Sequence, residues 1–200
     1  MKTPSANHAP WHRRLIDLVV ANRVRITAVA FFVLVVEKLA TGMEPNSALN
    51  ALNPESAAGV AMVLLGLATR SWAAGILEKN LNLTTNGPYA LVRNPLYVGS
   101  FLIMGGMMLL INFDARAFAV LAPLGGVYYL QIKHEEVLLE NRFGDTWREY
   151  ARRVPRLIPR LPWPIYFGGW RLRSWIRNRE FRALCAVFVG IIAIELWPNK

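Results

Sequence analysis

Residues 83–99 read LTTNGPYALVRNPLYVG. Asn86-Gly87-Pro88 is a turn, because Asn and Gly tolerate positive φ and Pro fixes the exit angle. Asn94-Pro95 follows. Asn is a favoured N-cap, and Pro suits the first helical turn because its missing N–H would have no intrahelical partner there. The spacing predicts a helix that starts at Asn94 and continues as LYVGSFLIMGGMMLLI. A polar loop therefore feeds a helix N-terminus at the edge of an apolar segment. The positive helix end, Arg93 beside it, and Tyr89 and Tyr97 offer a place for a ligand with an anionic group. Taken alone, the same stretch also reads as a connecting loop with a well-capped helix.

The rest of the chain explains what that helix is part of. Hydrophobic residues make up 54% of the 200, yet the formal net charge is +10. The charges are almost absent from the long apolar runs and crowded between them, which is the pattern of a polytopic membrane protein. The expected fold is all-α: one membrane domain, residues 1–200, with about five transmembrane spans. The spans are expected at residues 26–39, 55–76, 95–111, 115–132 and 181–197, with a cytoplasmic helical segment between the fourth and fifth. Gly59 and Gly66 lie seven apart in the second span, and Gly99 and Gly106 repeat that spacing in the third. Each pair falls on nearly one helix face, where small residues let helices approach closely. Pro123 with Gly125 and Gly126 is expected to bend the fourth span.

Of the 23 Lys and Arg, all but Lys38, Arg116 and Lys200 fall in the N-terminus, in residues 70–93 or in residues 133–182. Five spans put these three regions on one side, which the positive-inside rule makes the cytoplasm. The quoted loop and the long basic segment then share one membrane face. No nucleic-acid motif accompanies the basic charge, so anionic lipid headgroups are the expected partner rather than nucleic acid. Residues 11–25 read as an interfacial helix or the cytoplasmic start of the first span, with no cleavable signal pattern. The expected location is a bacterial inner membrane, multi-pass, with a cytoplasmic N-terminus. Cys185 sits in an apolar run and reads as a small apolar residue. His8, His12 and His134 have no metal-ligand spacing, and no metal is expected.

Within residues 133–153, Val137, Leu138, Leu139, Phe143, Trp147 and Tyr150 form an apolar helical stripe, interrupted at Gly144, with Asp145 able to cap the second piece. Pro155, Pro159, Pro162 and Pro164 force an extended course. Trp163, Tyr166, Phe167 and Trp170 are interface-belt residues, and residues 171–182 read as a surface amphipathic helix. Glu135 and Glu136 are adjacent acids. As helix neighbours they do not share a face, so one points into any site and the other supports it. They read equally as a solvated face, Arg153 as a lipid-phosphate contact, and the two tyrosines as interface anchors.

GPYALVRNPLYVG at 87–99, followed by HEEVLLENRFGDTWREYARRVPRLIP at 134–159, resembles the isoprenylcysteine carboxyl methyltransferase and phospholipid methyltransferase superfamily of membrane enzymes. The pattern there is a GPY…RHPxYxG loop, two spans, an adjacent Glu-Glu pair, then FGxxYxxY and a basic-VP tail. The resemblance covers a core of residues 81–159, leaving 160–200 as an interfacial segment and last span. It implies a transmembrane helix bundle that uses S-adenosyl-L-methionine. Leu81, Asn82, Leu83 and Thr84, then Tyr89, and Arg93, Asn94, Pro95 and Leu96 would surround that cofactor. Tyr97 belongs to the same motif, and the paired carboxylates map to Glu135 and Glu136. Arg153 corresponds to a basic residue assigned to acceptor recognition, and with Glu136 forms the expected catalytic pair. Two positions depart from the pattern. Asn94 replaces the His, which argues against proton abstraction there, and Trp147 replaces a Tyr.

The chemistry of the cofactor fits these residues. Arg93 and the helix N-terminus suit its carboxylate, and Glu135 and Glu136 suit its cationic groups or ribose hydroxyls. The implied function is transfer of a methyl group to a lipophilic or small acceptor, as in isoprenylcysteine carboxyl methylation. A phospholipid amine and a small thiol are alternative acceptors. A sterol-type membrane reductase that uses NADPH, and a non-catalytic protein that binds anionic lipid, are the readings outside this class.

Overall fold

The computed structural model describes residues 22–42, 45–78, 82–112, 114–160 and 168–196. Among them every regular element is a helix: α1 (Arg23–Thr41), α2 (Pro54–Ile76), α3 (Pro88–Leu91), α4 (Pro95–Leu110), α5 (Ala115–Phe143), α6 (Asp145–Arg153), α7 (Leu172–Arg177) and α8 (Phe181–Glu195). The expected features at residues 11–21, Leu81, Trp163, Tyr166 and Phe167 lie outside the described residues.

Local chemistry sets most of the boundaries. The Asn53 side chain accepts from the Glu55 and Ser56 amides at 2.9 and 3.4 Å, and Pro54 opens α2. Pro95 opens α4 and Asn94 takes the N-cap position, as the sequence predicts, but the Asn94 side chain makes no cap bond. Its Nδ2 donates to the Arg156 carbonyl at 3.2 Å, a tertiary contact that orients the side chain. Gly144, at φ +55°, separates α5 from α6. Asp145 is not a cap either: it sits in the first turn of α6 and accepts from Arg148 Nη1 at 2.6 Å. Pro123 does not interrupt α5, which runs through it for 29 residues.

α4 is the centre of the packing, and glycine puts it there. Ideal Cβ atoms built on Gly66 and Gly106 would lie 2.6 and 2.5 Å from the carbonyl oxygens of Gly99 and Gly59. The two seven-residue glycine spacings therefore pair reciprocally, with the α2 and α4 backbones in contact. One apolar cluster joins Val63 of α2, Met107 and Leu110 of α4, and Val187 and Ile194 of α8. A second joins Leu34 of α1 and Leu124 of α5, with Met104 and Met108 of α4 packed against them.

The outward faces are apolar too. Phe32 and Val33 on α1, Leu64 and Leu65 on α2, Phe118 on α5, and Phe188 and Val189 on α8 are all exposed, as is Cys185. Each of the five expected spans overlaps a described helix. By length and composition, α2 is the one described helix that qualifies to cross a membrane. The others fall short for visible reasons: α4 and α8 have 16 and 15 residues, and α1 carries Arg23, Arg25, Glu37 and Lys38.

The C-terminal region corrects the expected single helix over 171–182. α7 stops at Arg177, and Arg179 takes φ +57°. The chain turns there because its polar groups are needed on the end of α2. The Asn178 amide donates to the Ala74 and Leu77 carbonyls at 2.8 and 3.0 Å, the Arg171 N–H to Gly75 at 2.9 Å, and Trp170 Nε1 to Ser71 at 3.0 Å. All of these but the Trp170 bond occupy carbonyls at or just past the helix end, where partners within the helix run out. Glu180 is buried and grips Arg70 of α2 through two bonds, at 2.7 and 2.9 Å.

Candidate functional site

The loop before α4 and the segment after α6 fold against each other. The Arg93 N–H donates to the Pro155 carbonyl at 2.8 Å, and the Arg160 N–H to Leu91 at 3.1 Å. The buried Tyr150 hydroxyl donates to the Tyr89 carbonyl at 2.7 Å. Together with Asn94 on Arg156, these bonds clasp two stretches some sixty positions apart.

α5 supplies both carboxylates, on opposite faces. Tyr128, Gln131 and Glu135 repeat at helical spacing on one side; Lys133, Glu136, Val137 and Glu140 lie on the other. Glu135 accepts from the Tyr97 hydroxyl at 2.8 Å and from Gln131 Nε2 at 2.6 Å. Glu136 is held by two guanidiniums. Arg156 donates to it from Nε at 3.0 Å and Nη2 at 2.7 Å, and Arg93 Nη1 lies 3.5 Å away. This hydrogen bonding to Glu136 raises the Arg156 pKa. Arg93 also faces the Trp147 ring, with its guanidinium carbon 5.8 Å from the centroid.

The two faces differ in what is left over. Around Glu135, the Tyr89 hydroxyl and Gln131 Oε1 are buried without a hydrogen-bond partner, and Arg93 Nε is a third such atom at the loop. Burial raises the Tyr89 pKa far above its ordinary value, reinforced by Tyr150, Glu135 and Glu180 and opposed by Arg70. Burial likewise raises that of Tyr150. The Tyr89 phenol therefore stays protonated, a donor aimed at nothing in the protein. A buried polar atom left unpaired costs about 1–3 kcal/mol, so three of them together mark a place completed by a ligand. Their chemistry fits S-adenosyl-L-methionine, whose carboxylate suits Arg93, whose hydroxyls suit Tyr89 and Gln131, and whose positive charge suits Glu135.

Other expected site residues lie apart. Asn82 is exposed, and Leu83 and Thr84 are half-buried near the end of α2, where the Glu78 N–H meets Thr84 Oγ1 at 3.4 Å. Pro95 is buried, and the Leu96 carbonyl accepts from Arg70 Nη1 at 3.3 Å and from the Ser100 hydroxyl at 2.9 Å. Arg153 is exposed and pairs with Glu149, one turn before it on α6. It lines a hollow of about 300 Å³ with Thr85, Thr146 and Tyr150, away from Glu136. A second, wider groove of about 410 Å³ lies on the opposite face of α6, walled by Trp147, Arg148, Arg152 and the outer face of α5. Val137 and Leu138, expected in an apolar stripe, are exposed, whereas Trp147 and Tyr150 are buried.

Two residues at the centre of the site escaped the sequence reading. Arg156 was one of several basic residues after α6, with nothing to single it out. Gln131 did carry a signal: it is a lone amide in an apolar run, one helical turn before Glu135, where an intramembrane polar group points to function.

Residues 66–146 match the phospholipid methyltransferase family. The chain is 38% identical over 103 residues to the protein-S-isoprenylcysteine O-methyltransferase of Schizosaccharomyces pombe, covering 51% of this chain and 43% of the relative. It is 31% identical over 126 residues to the rat (Rattus norvegicus) protein of the same name, covering 52% and 41%. It is also 33% identical over 105 residues to the nickel-cobalt-cadmium resistance protein NccN of Alcaligenes xylosoxydans xylosoxydans, covering 52% and 47%. The chain thus spans less than half the length of these curated relatives. No solved structure matches it.

Proposed function

From the premise that residues 66–146 belong to the isoprenylcysteine carboxyl methyltransferase and phospholipid methyltransferase superfamily, we propose that this chain is an integral membrane methyltransferase that uses S-adenosyl-L-methionine. Its acceptor is lipophilic or small, on the pattern of isoprenylcysteine carboxyl methylation. The observation that carries the reading is the set of unpaired buried atoms, Tyr89 hydroxyl and Gln131 Oε1, gathered around Glu135 and Tyr97. The exposed apolar faces support a five-span bundle in an inner membrane with residues 81–159 as its core, and the positive-inside rule supports a cytoplasmic site.

When bound, S-adenosyl-L-methionine supplies a methyl group on a positively charged sulfur, transferable to a nucleophile in one displacement. The protein's part is alignment and exclusion of water. Tyr89 donates a hydrogen bond, Gln131 accepts one, and Glu135 balances positive charge in a dry setting. Tyr97 and Gln131 fix the Glu135 rotamer. Glu136 acts on the site through Arg93 and Arg156, holding the loop against the segment after α6, which makes it a positioning residue. Asn94 is committed to the Arg156 carbonyl and takes no proton. A carboxylate or thiolate acceptor needs no base, and among the described residues of this cluster both carboxylates are engaged by protein donors. The family's phospholipid description supports a second acceptor, a phospholipid amine arriving deprotonated.

Calorimetry of the purified full chain should give saturable binding of S-adenosyl-L-methionine and its demethylated product. Membrane lipid extracts incubated with labelled methyl donor should yield one labelled compound class. A chain that binds neither ligand, with an intact melting transition, would sink the proposal; binding of NADPH in their place would move it to the reductase reading.

A further inference from the structure

The groove between α5 and α6 shares Arg93 and Glu136 with the methyl-transfer site, but it also carries cations that methyl transfer does not use. The atoms around Glu135 face the other side of α5, and the Arg93–Glu136–Arg156 clamp closes the floor between the two. The lining is strongly cationic: Lys133, Arg148, Arg152 and Arg156 join Arg93, against two carboxylates, Glu136 and Glu140. Both carboxylates are already taken, Glu136 by the clamp and Glu140 by Arg148 at 2.9 Å. Among the described residues, Lys133 and Arg152 have no carboxylate partner. Two unbalanced cations therefore face one groove of about 410 Å³, within the range of small-ligand sites.

The position along α5 says which anion belongs there. Phe118, Tyr129 and Leu130 are exposed and apolar, and after Arg116 at the far end of α5 the next cation, Lys133, follows within a turn of Leu130. Lys133 and Arg156 both sit over the Tyr129 ring, 5.8 and 5.9 Å from its centroid. An aromatic residue at the boundary between an apolar face and a cationic one is the arrangement of a membrane–water interface. On the five-span reading proposed above, the mouth of the groove falls at headgroup depth. Its wall also carries the exposed Val137, apolar surface that a free inorganic anion would leave uncovered and a glycerol backbone would cover.

We infer that this groove binds the phosphate headgroup of an anionic phospholipid from the cytoplasmic leaflet, with Lys133 and Arg152 as its principal charge contacts. A guanidinium offers the phosphodiester a two-pronged donor and the ammonium adds a point charge. Such a lipid would hold the α5–α6 corner at the membrane surface, beside the clasp that shapes the methyl-transfer site. The inference rests on the membrane placement proposed above but not on the transfer reaction, because its occupant is read from charge and depth.

The test uses the full chain in detergent, with native mass spectrometry counting bound lipid as dioleoylphosphatidylglycerol or dioleoylphosphatidylcholine is titrated in. One phosphatidylglycerol should be retained in preference to phosphatidylcholine. The Lys133→Gln/Arg152→Gln double variant should weaken that first binding step roughly tenfold. The Arg173→Gln/Arg177→Gln variant removes the same charge from exposed α7 positions and should leave the step unchanged. Inorganic phosphate at millimolar concentration should not displace the lipid. Equal retention of the two lipids, an equal loss in both double variants, or displacement by phosphate would each overturn the inference. Affinity for S-adenosyl-L-methionine, measured on the same samples, should be unaltered by Lys133→Gln/Arg152→Gln. That separates failure of the lipid site from failure of the methyltransferase reading.

Discussion

Glu135 and Glu136 are chain neighbours with opposite surroundings. Glu136 is buried between two arginines, and its carboxylate is filled by them. Glu135 is bound by Tyr97 and Gln131, and the atoms next in line are buried polar groups with nothing to bond. Both carboxylates belong to one motif, yet the Glu136 carboxylate is fully engaged by protein groups, with only Arg93 Nε left over beside it, whereas the Glu135 side keeps a hydroxyl and an amide oxygen unpaired. Completeness of hydrogen bonding separates scaffold from site more sharply than membership of the motif does.

The largest expected effect follows from removing Glu136. Glu136→Ala strands Arg93 and Arg156 without their anion. Breaking a buried pair in this way costs about 3 kcal/mol, at the low end of its range because Arg156 is partly exposed. A lower melting temperature should come with a loosened 91–97 loop, read by hydrogen exchange. Glu135→Gln should behave oppositely: it keeps its shape and one acceptor, should alter stability by under about 1 kcal/mol, and should weaken cofactor binding about tenfold or more. If both variants lose stability equally, the contrast between the two faces collapses.

The arginines sharpen the same contrast. Arg156→Met should reproduce much of the Glu136→Ala destabilisation, whereas Arg153→Met, at an exposed position paired only along α6, should leave the melting temperature nearly unchanged. If Arg153→Met abolishes transfer while leaving cofactor affinity intact, the role implied by family resemblance stands in spite of its distance from Glu136.

What could be read from the sequence divides along the line between local and tertiary causes. The paired glycines at 59, 66, 99 and 106 were legible because helical periodicity alone puts each pair on one face. The start of α4 at Pro95 was legible because proline chemistry is local. The use of Asn94 was not, because its amide is claimed by a carbonyl 62 positions away. The same limit hid Arg156: after α6 the backbone bends at Val154 and Pro155, and that bend decides which basic residue returns to Glu136. It also hid the break at Asn178, whose side chain is spent on the end of α2.

Next in size is Tyr89→Phe. The hydroxyl it removes has no protein partner, so folding should be unharmed, while cofactor affinity should fall about three- to tenfold, the value of one hydrogen bond. A variant with unchanged affinity would leave the orphan hydroxyl without a role and weaken the case for a ligand at that face.

The smallest effect concerns the tyrosine pair as a clasp. Tyr150→Phe deletes the bond to the Tyr89 carbonyl and should cost about 1 kcal/mol. Its pH dependence gives a cleaner signature. Both phenols are pushed up by burial in the folded protein, whereas an unfolded tyrosine releases its proton near pH 10. Below that pH both states keep the proton and the contribution is constant. Above it the unfolded chain binds fewer protons than the folded one, so stability falls as pH rises. Melting curves from pH 9 to 11.5 should show this decline in the wild type and a shallower one in Tyr150→Phe and Tyr89→Phe. Because each variant differs from the wild type by one phenol alone, the difference in slope belongs to the phenols. Parallel curves would mean that neither hydroxyl is as enclosed as the clasp requires.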